Sequence, residues 1–332
     1  MTEKNNYTIV LIHKGMFNYL LTSLQQAHFS NPNSRIILLG DESNKKTFNF
    51  VEHYNISDYF KTAEEFVKIY KNLSFNNKSF ELFCIQRWFI LNDFLHKHNI
   101  EKCLHIDSDI LLYSDFSKED EYVSKIQPYD MTLSGCSPHC MFINNTEAIS
   151  KFCEFVTDKY KDENLIQEIS EIYLKKQTYR TWDLSANPVS DMFWFNLFEK
   201  GSYVKIFSTV TDFSSPLVNN NIDTCNLPSR YNTFGHLLNV LFNNKTPYLY
   251  DLVDNKIVRL HNLHCQDSAK RLMSKYATFN KKENEKIPQF NKFDLSFILN
   301  TKLGFNFFEF YNDQNLFYLS LFGIKFKGWK WH

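Results

Sequence analysis

The chain has 332 residues, of which 43% are hydrophobic and 22% are charged, as in an ordinary globular protein. Its 37 Lys and Arg residues balance its 37 Asp and Glu residues, so it lacks the basic excess typical of nucleic-acid-binding proteins. The sequence shows no secretory signal and no apolar run long enough to cross a bilayer, and its seven Cys residues form no Cys-x-x-Cys pair. We therefore expect a cytoplasmic protein that binds no nucleic acid.

The first part of the chain predicts a β-α-β unit. Residues 7–12 form a short apolar, β-branched run that predicts a strand, residues 17–28 predict a helix, and residues 35–39 predict a second strand. A short strand over 58–60 and a helix over 62–70 are expected to follow. Because the connections are short, the unit predicts parallel strands joined by a right-handed crossover.

Residues 79–98 give the strongest helix prediction in the chain. Phe80, Cys84, Leu91 and Leu95 recur at helical spacing and predict an apolar stripe. Arg87 falls on the same stripe. A charged group on a buried face is costly unless it is paired, so Arg87 is expected to have an oppositely charged partner.

The next predicted strand, 103–106, ends in Asp107-Ser108-Asp109. Alternate residues of extended chain share a face, so the two carboxylates can point to the same side with their α-carbons about 6–7 Å apart. One hard divalent cation could then lie between them. Ligands of open α/β sheets bind at the carboxyl ends of strands, where these aspartates lie. The alternative is an ordinary polar corner between a strand and a loop.

The remainder of the chain is less regular. Polar residues 211–232 are a candidate substrate loop. We expect one domain over 1–275 and, over 276–332, a polar connector (279–293) followed by an aromatic C-terminal extension. Strands are predicted over 131–134 and 140–143, helices over 147–160, 164–174 and 190–199, and a last strand over 257–260.

His264 and Lys270 form a second candidate segment. Imidazole is a good ligand for divalent transition metals, and Lys is a compact partner for phosphate. His261 competes with His264 for a metal, but the spacing to Lys270 favours His264.

Taken together, these motifs resemble the GT-A-fold glycosyltransferases, most closely the retaining glycogenin and bacterial galactosyltransferase group. In that group a strand ends in Asp-x-Asp, and a later His-x-x-Gly-x-x-Lys supplies the third metal ligand and a Lys that binds diphosphate. Here the later motif runs from His264 to Lys270, with Asp267 in the place of Gly. Gly tolerates backbone angles that Asp does not. The resemblance covers about residues 7–272.

The resemblance also suggests residues that bind the donor. Asp191 begins a segment similar to the Asp-Gln-x-x-x-Asn that these enzymes place near the reacting sugar, with Met192 in the place of Gln. Gly135 lies in a segment similar to the small residues that face the donor sugar, and Arg87 is similar to the basic residue that binds donor phosphate or sugar. As alternatives, Arg87 could simply pair with a buried carboxylate, and Asp191 could cap the helix that begins near Met192.

The end of the first strand corresponds to the place where such folds hold the nucleotide base. His13 and Gly15 are expected there by position, and Ser108 is expected to contribute to the donor site from between the two aspartates. Asp41 could meet the ribose or cap a turn. His139, which follows Pro138, is expected to be structural.

The resemblance implies an α/β GT-A (Rossmann-like) fold with a mixed, mainly parallel sheet flanked by helices. It implies a hexosyltransferase that moves a sugar from a nucleotide-diphosphate sugar, with a UDP-sugar expected, to a saccharide, lipid-linked or protein acceptor with retention of configuration. Asp107, Asp109 and His264 would hold Mn²⁺ or Mg²⁺. Lys270 and Arg87 would stabilise the leaving diphosphate, and Asp191 would orient the donor or, in an inverting enzyme, act as the base.

Two rival functions and three roles for the tail stay open at this point. The chain could be a non-catalytic nucleotide- or sugar-binding module of the same fold. It could also be an Asp-x-Asp phosphatase, although Leu111 stands where that group usually has Thr or Val. The aromatic tail could contact a membrane interface peripherally, pack on the catalytic domain, or form a homodimer contact.

Overall fold

A computed structural model describes residues 7–74, 76–135, 137–179, 189–209, 233–234, 237–238, 240–251, 256–280, 309–313, 316–321 and 324–329. These residues divide into two compact units. The first unit lies within Met1–Ile110 and Ser114–Asp212, and the second lies within Leu111–Tyr113 and Phe213–His332.

The first unit is built on a seven-stranded mixed sheet with the strand order β3-β2-β1-β4-β7-β6-β8. β7 runs antiparallel to its neighbours β4 and β6, and all other neighbouring pairs are parallel. This arrangement confirms the predicted mixed, mainly parallel sheet. The first eight strands of the chain, of which β5 lies outside this sheet, are β1 (Thr8–Ile12), β2 (Ile36–Gly40), β3 (Val51–Asn55), β4 (Cys103–Ile106), β5 (Ile110–Leu112), β6 (Met131–Leu133), β7 (Cys140–Ile143) and β8 (Ile206–Ser208).

Helices flank this sheet because its central strands are apolar on both faces. All five residues of β2 are buried, as expected for a strand covered from both sides. Val10 of β1 and Leu39 of β2 join one continuous core with residues of five helices, α2, α3, α5, α6 and α7. The helices of this unit are α1 (Asn18–Ser30), α2 (Lys61–Val67), α3 (Lys78–Lys97), α4 (Asp120–Ile126), α5 (Glu147–Lys161), α6 (Glu163–Tyr179) and α7 (Asp191–Lys200).

The second unit consists of small antiparallel sheets and short helices. One sheet is made of β11, β12 and β13, and β14 pairs with β5, where the Tyr113 N–H donates to the His261 carbonyl at 2.9 Å. The elements are β9 (Thr233–Phe234), β10 (Leu237–Leu238), β11 (Leu241–Asn243), β12 (Thr246–Asp251), β13 (Lys256–Arg259), β14 (Asn262–His264), a 3₁₀ helix (Asp267–Leu272), α8 (Met273–Tyr276), β15 (Glu309–Asp313), β16 (Leu316–Leu321) and β17 (Ile324–Trp329).

Two of the predictions for individual elements are wrong, and one strand was not predicted. The strand predicted over 58–60 is part of a 3₁₀ helix, Ile56–Tyr59, because the Asn55 side chain accepts the Ser57 N–H and caps it. The preceding strand β3 is only half buried and mixes polar with apolar residues, so its sequence shows no clear strand pattern and the strand was not predicted. The strand predicted over 257–260 is not the last, because β14 and the sheet β15-β16-β17 follow.

The apolar stripe predicted for α3 is also wrong in part. Phe80, its first member, is 61% exposed, whereas Leu91 and Leu95 are buried as expected. The buried face instead includes Trp88 and Phe94, because the helix turns these large rings into the core that it shares with the sheet.

Several predictions concern parts of the chain that are only partly described. The predicted substrate loop, 211–232, and most of the connector, 279–293, lie outside the described residues. The aromatic extension is described only as the antiparallel sheet β15-β16-β17, and the boundary predicted at residue 275 stays a prediction. Where the structure describes the chain, no helix has the length and apolar character that crossing a bilayer requires.

Candidate functional site

The two aspartates that follow β4 lie on a tight turn. The Asp107 N–H donates to the His139 carbonyl at 2.8 Å, and the Ile110 N–H donates to the Asp107 carbonyl at 3.1 Å. The second bond closes a four-residue turn with Ser108 and Asp109 at its centre. One carboxylate oxygen from each aspartate lies within 4.8 Å of the other. The chain reversal therefore brings together two hard oxygen ligands at the carboxyl end of a central strand.

Asp107 and Asp109 form a pair that is compatible with a divalent cation. Each offers one carboxylate oxygen, and the two oxygens lie within 4.8 Å of each other. His264, the third predicted ligand, lies on β14 of the second unit. Asp109 and His264 are buried, and Asp107 is partly exposed. Carboxylate oxygens suit Mg²⁺ and Mn²⁺, and imidazole adds a ligand that suits the softer divalent metals.

Arg87 joins two carboxylates that are far apart in the sequence. Its Nη1 donates to Asp107 Oδ1 at 2.5 Å, and its Nη2 donates to Asp191 Oδ2 at 2.7 Å. The Arg87 side chain is only 14% exposed. Burial would lower the pKa of Arg87, but Asp107 and Asp191 outweigh it and hold the pKa above its ordinary value. The prediction that Arg87 has an oppositely charged partner is therefore confirmed, and it has two such partners.

Asp191 is the first residue of α7, and both of its oxygens accept hydrogen bonds. Besides Arg87, Oδ2 accepts from Trp88 Nε1 at 3.1 Å, and Oδ1 accepts from the Met192 N–H at 2.9 Å. Ser190 occupies the N-cap position, so the alternative that Asp191 is the cap is wrong. A carboxylate in the first turn is still favoured by the helix dipole, which helps to hold Asp191 in this buried place.

The immediate surroundings of these carboxylates carry a formal negative charge. His105, fully buried in β4, places its Nε2 3.5 Å from Asp107 Oδ1. Burial lowers the pKa of His105, against the opposing effect of Asp107, so the imidazole is expected to be neutral. Three carboxylates (Asp107, Asp109 and Asp191) and one guanidinium then leave two formal negative charges, which match one divalent cation.

The loop after β1 lies against the Asp107–Asp109 turn. A hydrogen bond of 2.9 Å joins His13 Nδ1 to Ser108 Oγ. Gly15 has a φ of +88°, in the region that favours glycine, and its N–H donates to Asp41 Oδ2 at 2.8 Å. Asp41 also accepts the Ser43 N–H at the start of the 3₁₀ helix Glu42–Asn44, so it caps a turn, as one of its two predicted roles requires. Burial would raise the pKa of Asp41, but these hydrogen bonds lower it.

Sequence reasoning missed Asn44 and Trp88. Asn44 is fully buried, and its amide binds the carbonyls of both His13 and Gly15 at 2.9 Å. Trp88 is fully buried and gives its only side-chain donor to Asp191. For Asn44 the capping pattern of residues 41–44 was an available signal. Nothing in the sequence pairs Trp88 with a residue 103 positions away.

The remaining predicted residues lie in two places. Gly135 has a φ of +63° in a turn that Ser134 and Ser137 close with reciprocal backbone hydrogen bonds of 3.0 and 3.1 Å. His139 is buried and bonds Ser137 Oγ through Nδ1 at 2.7 Å, as expected for a structural histidine. Lys270 lies on the 3₁₀ helix of the second unit and is partly exposed.

His261, the residue that competes with His264 in the sequence, lies just before β14. Its carbonyl accepts the Tyr113 N–H. Burial, with the nearby charge of Arg259, lowers the pKa of His261 to about 4.

Comparison with known proteins gives structural matches only. No protein-family model and no curated protein matches the chain significantly. Mouse xyloside xylosyltransferase 1 in its apo form aligns over 67% of this chain and 88% of its own, at 10% identity and a TM-score of 0.44. The glycosyltransferase GlyE of Streptococcus pneumoniae TIGR4 aligns over 66% and 47%, at 14% identity and a TM-score of 0.33. The PaToxG glycosyltransferase aligns over 59% and 75%, at 10% identity and a TM-score of 0.32.

Proposed function

We propose that the chain is a metal-dependent glycosyltransferase that takes its sugar from a nucleotide-diphosphate sugar, with a UDP-sugar as the expected donor. The observation that carries the proposal is the pair of carboxylates, Asp107 and Asp109, on one tight turn at the carboxyl end of β4. Two carboxylates held this close repel each other, and a cation between them relieves that repulsion. A metal bound to a diphosphate is the ligand that such a pair at a strand end fits best.

The proposed metal ligands are Asp107, Asp109 and His264. Two carboxylates and one imidazole leave coordination positions open for diphosphate oxygens, and Mn²⁺ accepts both oxygen and nitrogen ligands. The cation, when bound, would neutralise charge that develops on the leaving diphosphate. Lys270 is proposed to donate to the same diphosphate as a compact cation. Lys270 keeps the spacing of the family motif, and Asp267, three residues before it, is where the motif departs from the family pattern.

Arg87 and Asp191 are proposed to act together. Both Nη atoms of Arg87 are engaged with carboxylates, so we assign it the task of holding Asp107 and Asp191 in place and limiting their repulsion. Asp191 would orient the donor sugar. Its oxygens already accept hydrogen bonds from Arg87, Trp88 and Met192, which occupy most of the positions at which a carboxylate can accept and leave little access for an acceptor hydroxyl. This supports retention of configuration over an inverting reaction with Asp191 as the base.

The donor nucleotide is proposed to lie along the loop after β1. His13 and Gly15 would meet the base, and Asp41 would be near the ribose, although its carboxylate already accepts from Gly15 and Ser43. Ser108, bonded to His13, would join this part of the site to the metal. Gly135 would allow close approach of the donor sugar. The acceptor is proposed to be a saccharide, a lipid-linked saccharide or a protein hydroxyl.

A nucleotide-binding module without turnover is the second candidate function. The observation that favours it is Asp267, which replaces a Gly beside the proposed diphosphate-binding Lys270. A phosphatase with Asp107 as nucleophile has less support, because Asp107 Oδ1 is engaged by Arg87. The transferase and the binding module can be told apart directly, since only the transferase releases nucleotide diphosphate from a sugar donor.

The proposal is tested by thermal and chemical unfolding of the purified protein with UDP and other nucleotide diphosphates, each with and without Mn²⁺. A ligand at a hundredfold excess over its Kd stabilises the folded state by about 2.7 kcal/mol. We expect that stabilisation only with nucleotide and Mn²⁺ together. The Asp109→Asn variant should lose it. The control, Asp115→Asn, changes a carboxylate that bonds Ser117 and Lys118, and should keep it.

Turnover is then measured as release of UDP from UDP-sugars with Mn²⁺. Release that is lost in Asp109→Asn and kept in Asp115→Asn supports the transferase. Nucleotide binding without release from any donor favours the binding module. If no nucleotide stabilises the unaltered protein in the presence of Mn²⁺, the transferase proposal is wrong.

A further inference from the structure

The side chain of Asn44 uses every hydrogen-bonding position that it has. Its Nδ2 donates to the carbonyls of His13 and Gly15, each at 2.9 Å. Its Oδ1 accepts from the Asp41 N–H at 2.9 Å and from His53 Nε2 at 3.0 Å. A primary amide has two donors and two acceptor lone pairs, so this set is complete. Such completeness in a fully buried side chain indicates a fixed position.

The partners also fix which way the amide faces. Carbonyl oxygens can only accept, so Nδ2 must face His13 and Gly15. Oδ1 must then face the Asp41 N–H, which can only donate. It follows that His53 bonds to Oδ1 through a protonated Nε2. Asn44 therefore joins the loop after β1, the turn after β2 and strand β3 through one rigid group.

Gly40, the last residue of β2, leaves the space that this arrangement needs. A Cβ atom on Gly40 would lie 2.0 Å from Asn44 Oδ1 and 2.6 Å from His53 Nε2. Both distances are far below van der Waals contact. Any other residue at position 40 would displace the Asn44 amide or the His53 ring. A substitution of Gly40 is therefore a second way to disturb the hydrogen bonds of Asn44.

We infer that Asn44 is a positioning residue for nucleotide binding, an inference that rests on the proposed function. Residues 13–15 have no strand or helix of their own to hold them. Asn44 fixes two of their carbonyls, and Asp41 fixes the Gly15 N–H. His13, in turn, bonds Ser108 between the two aspartates. A loop that is ordered before the ligand arrives spares the ordering entropy that binding would otherwise cost.

Two variants and one control test this role. Asn44→Asp keeps the shape but replaces the donating Nδ2 with an oxygen that repels the two carbonyls. Gly40→Ala disturbs the same amide by contact alone. Asn31→Asp is the matched control: Asn31 is also buried, donates to the Ala27 carbonyl and accepts the Phe116 N–H, but it lies at the far end of α1. All three variants are compared well below their melting temperatures.

The first readout is hydrogen exchange of the peptide containing residues 13–17 in the ligand-free protein. We expect exchange at least about tenfold faster in Asn44→Asp and Gly40→Ala than in Asn31→Asp. The lost hydrogen bonds no longer oppose local opening of the loop, so its amides exchange more often. The second readout is the Kd for UDP with Mn²⁺, measured by calorimetry, which should rise by about tenfold in the same two variants. The control should keep both values.

The outcomes separate this inference from the proposed function. If the unaltered protein binds UDP and the Asn44→Asp variant binds it equally well, the inference is wrong and the proposed function stands. Unchanged hydrogen exchange of residues 13–17 in both Asn44→Asp and Gly40→Ala also overturns the inference. If the unaltered protein binds no nucleotide diphosphate with Mn²⁺, the proposed function is overturned, and the role of Asn44 in nucleotide binding is overturned with it.

Discussion

Helices α3 and α5 belong to the same core, yet their buried faces differ in kind. Every buried residue of α5 is apolar or aromatic. The buried face of α3 contains a Glu, a Gln and an Arg in addition to apolar side chains: Glu81, Gln86 and, largely buried, Arg87. Since buried polar groups are costly unless they are satisfied, the two helices cannot serve the same purpose.

The polar groups of α3 are each matched to a particular partner. Gln86 Nε2 donates to the Ala63 carbonyl at 3.0 Å, Glu81 accepts from Asn76, and Arg87 binds two carboxylates. The apolar face of α5 needs only volume and shape. The comparison is consistent with α5 as support for the sheet and with α3 as both support and the carrier of the candidate site residue Arg87. Three changes on α3, from the largest expected effect to the smallest, and one matched change on α5 test this distinction.

Replacing Arg87 with Met should have the largest effect, on both stability and activity. Asp191, which is buried, and Asp107, which is partly exposed, would be left without their shared cation, and removing one partner of a buried ion pair typically costs about 3–5 kcal/mol. Donor turnover should fall by about a hundredfold or more, because Asp107 and Asp191 would lose the group that holds both of them in place. Denaturant unfolding and UDP release from the donor measure the two effects.

The matched change on α5 is Phe152→Leu, which alters a buried ring stacked on Phe195. It should cost about 1–3 kcal/mol of stability and leave turnover within about twofold. If Phe152→Leu reduced turnover as much as Arg87→Met, the distinction between the two helices would be wrong.

Trp88→Phe should have an intermediate effect. It keeps a large aromatic ring against His105 and Phe195 but removes the N–H that donates to Asp191. We expect a stability loss of about 1–2 kcal/mol, from the lost hydrogen bond and the smaller ring, and a fall in kcat of about tenfold with little change in the KM for the donor. Steady-state kinetics measures this split. A rise in KM with kcat unchanged would assign Trp88 to ground-state binding instead.

Glu81→Gln should have the smallest effect, visible mainly in the pH dependence of stability. Burial raises the pKa of Glu81, against the opposing hydrogen bond from Asn76. The folded state then holds its proton to higher pH than the unfolded state, so this group lowers stability as pH rises from about 4.5 through the folded pKa. The Gln variant lacks this loss and should gain stability relative to the unaltered protein over that range.

Unfolding at several pH values measures the effect, with Glu154→Gln as control. Glu154 is exposed on α5, so its replacement makes the same chemical change outside the buried face. Equal curves for the unaltered protein and Glu81→Gln would show that burial of Glu81 has no net electrostatic cost.

The sequence predicted the parts of this molecule that depend on local pattern. The strand ending at Ile106 was readable because an apolar run is a local property. Asp107 and Asp109 follow it as predicted, but a tight turn brings them together, and not the alternate spacing of extended chain. The need of Arg87 for a partner was readable because its position on α3 is fixed by helical periodicity. Strand β3 was missed because an edge strand of mixed polarity has no clear pattern.

Other features depend on contacts between distant residues and were out of reach. Asp191 lies 104 positions from Arg87, and no pattern in one sequence pairs them. The exposure of Phe80 also depends on tertiary packing, because periodicity alone cannot tell which turn of a helix extends past the sheet. The fourfold satisfaction of Asn44 combines three separate segments and could not be foreseen.

The antiparallel insertion of β7 has a consequence for how this edge of the sheet can change over evolutionary time. Its register against β4 runs from Cys103 opposite Ile143 to Ile106 opposite Cys140, so the residues that precede β7 lie beside those that follow β4. The turn at Gly135 can therefore lengthen or shorten without shifting that register. Insertions and deletions between β6 and β7 would reshape the rim beside Asp107 while the strand that carries it stays in place, which makes this short turn a natural point of divergence among descendants of the same chain.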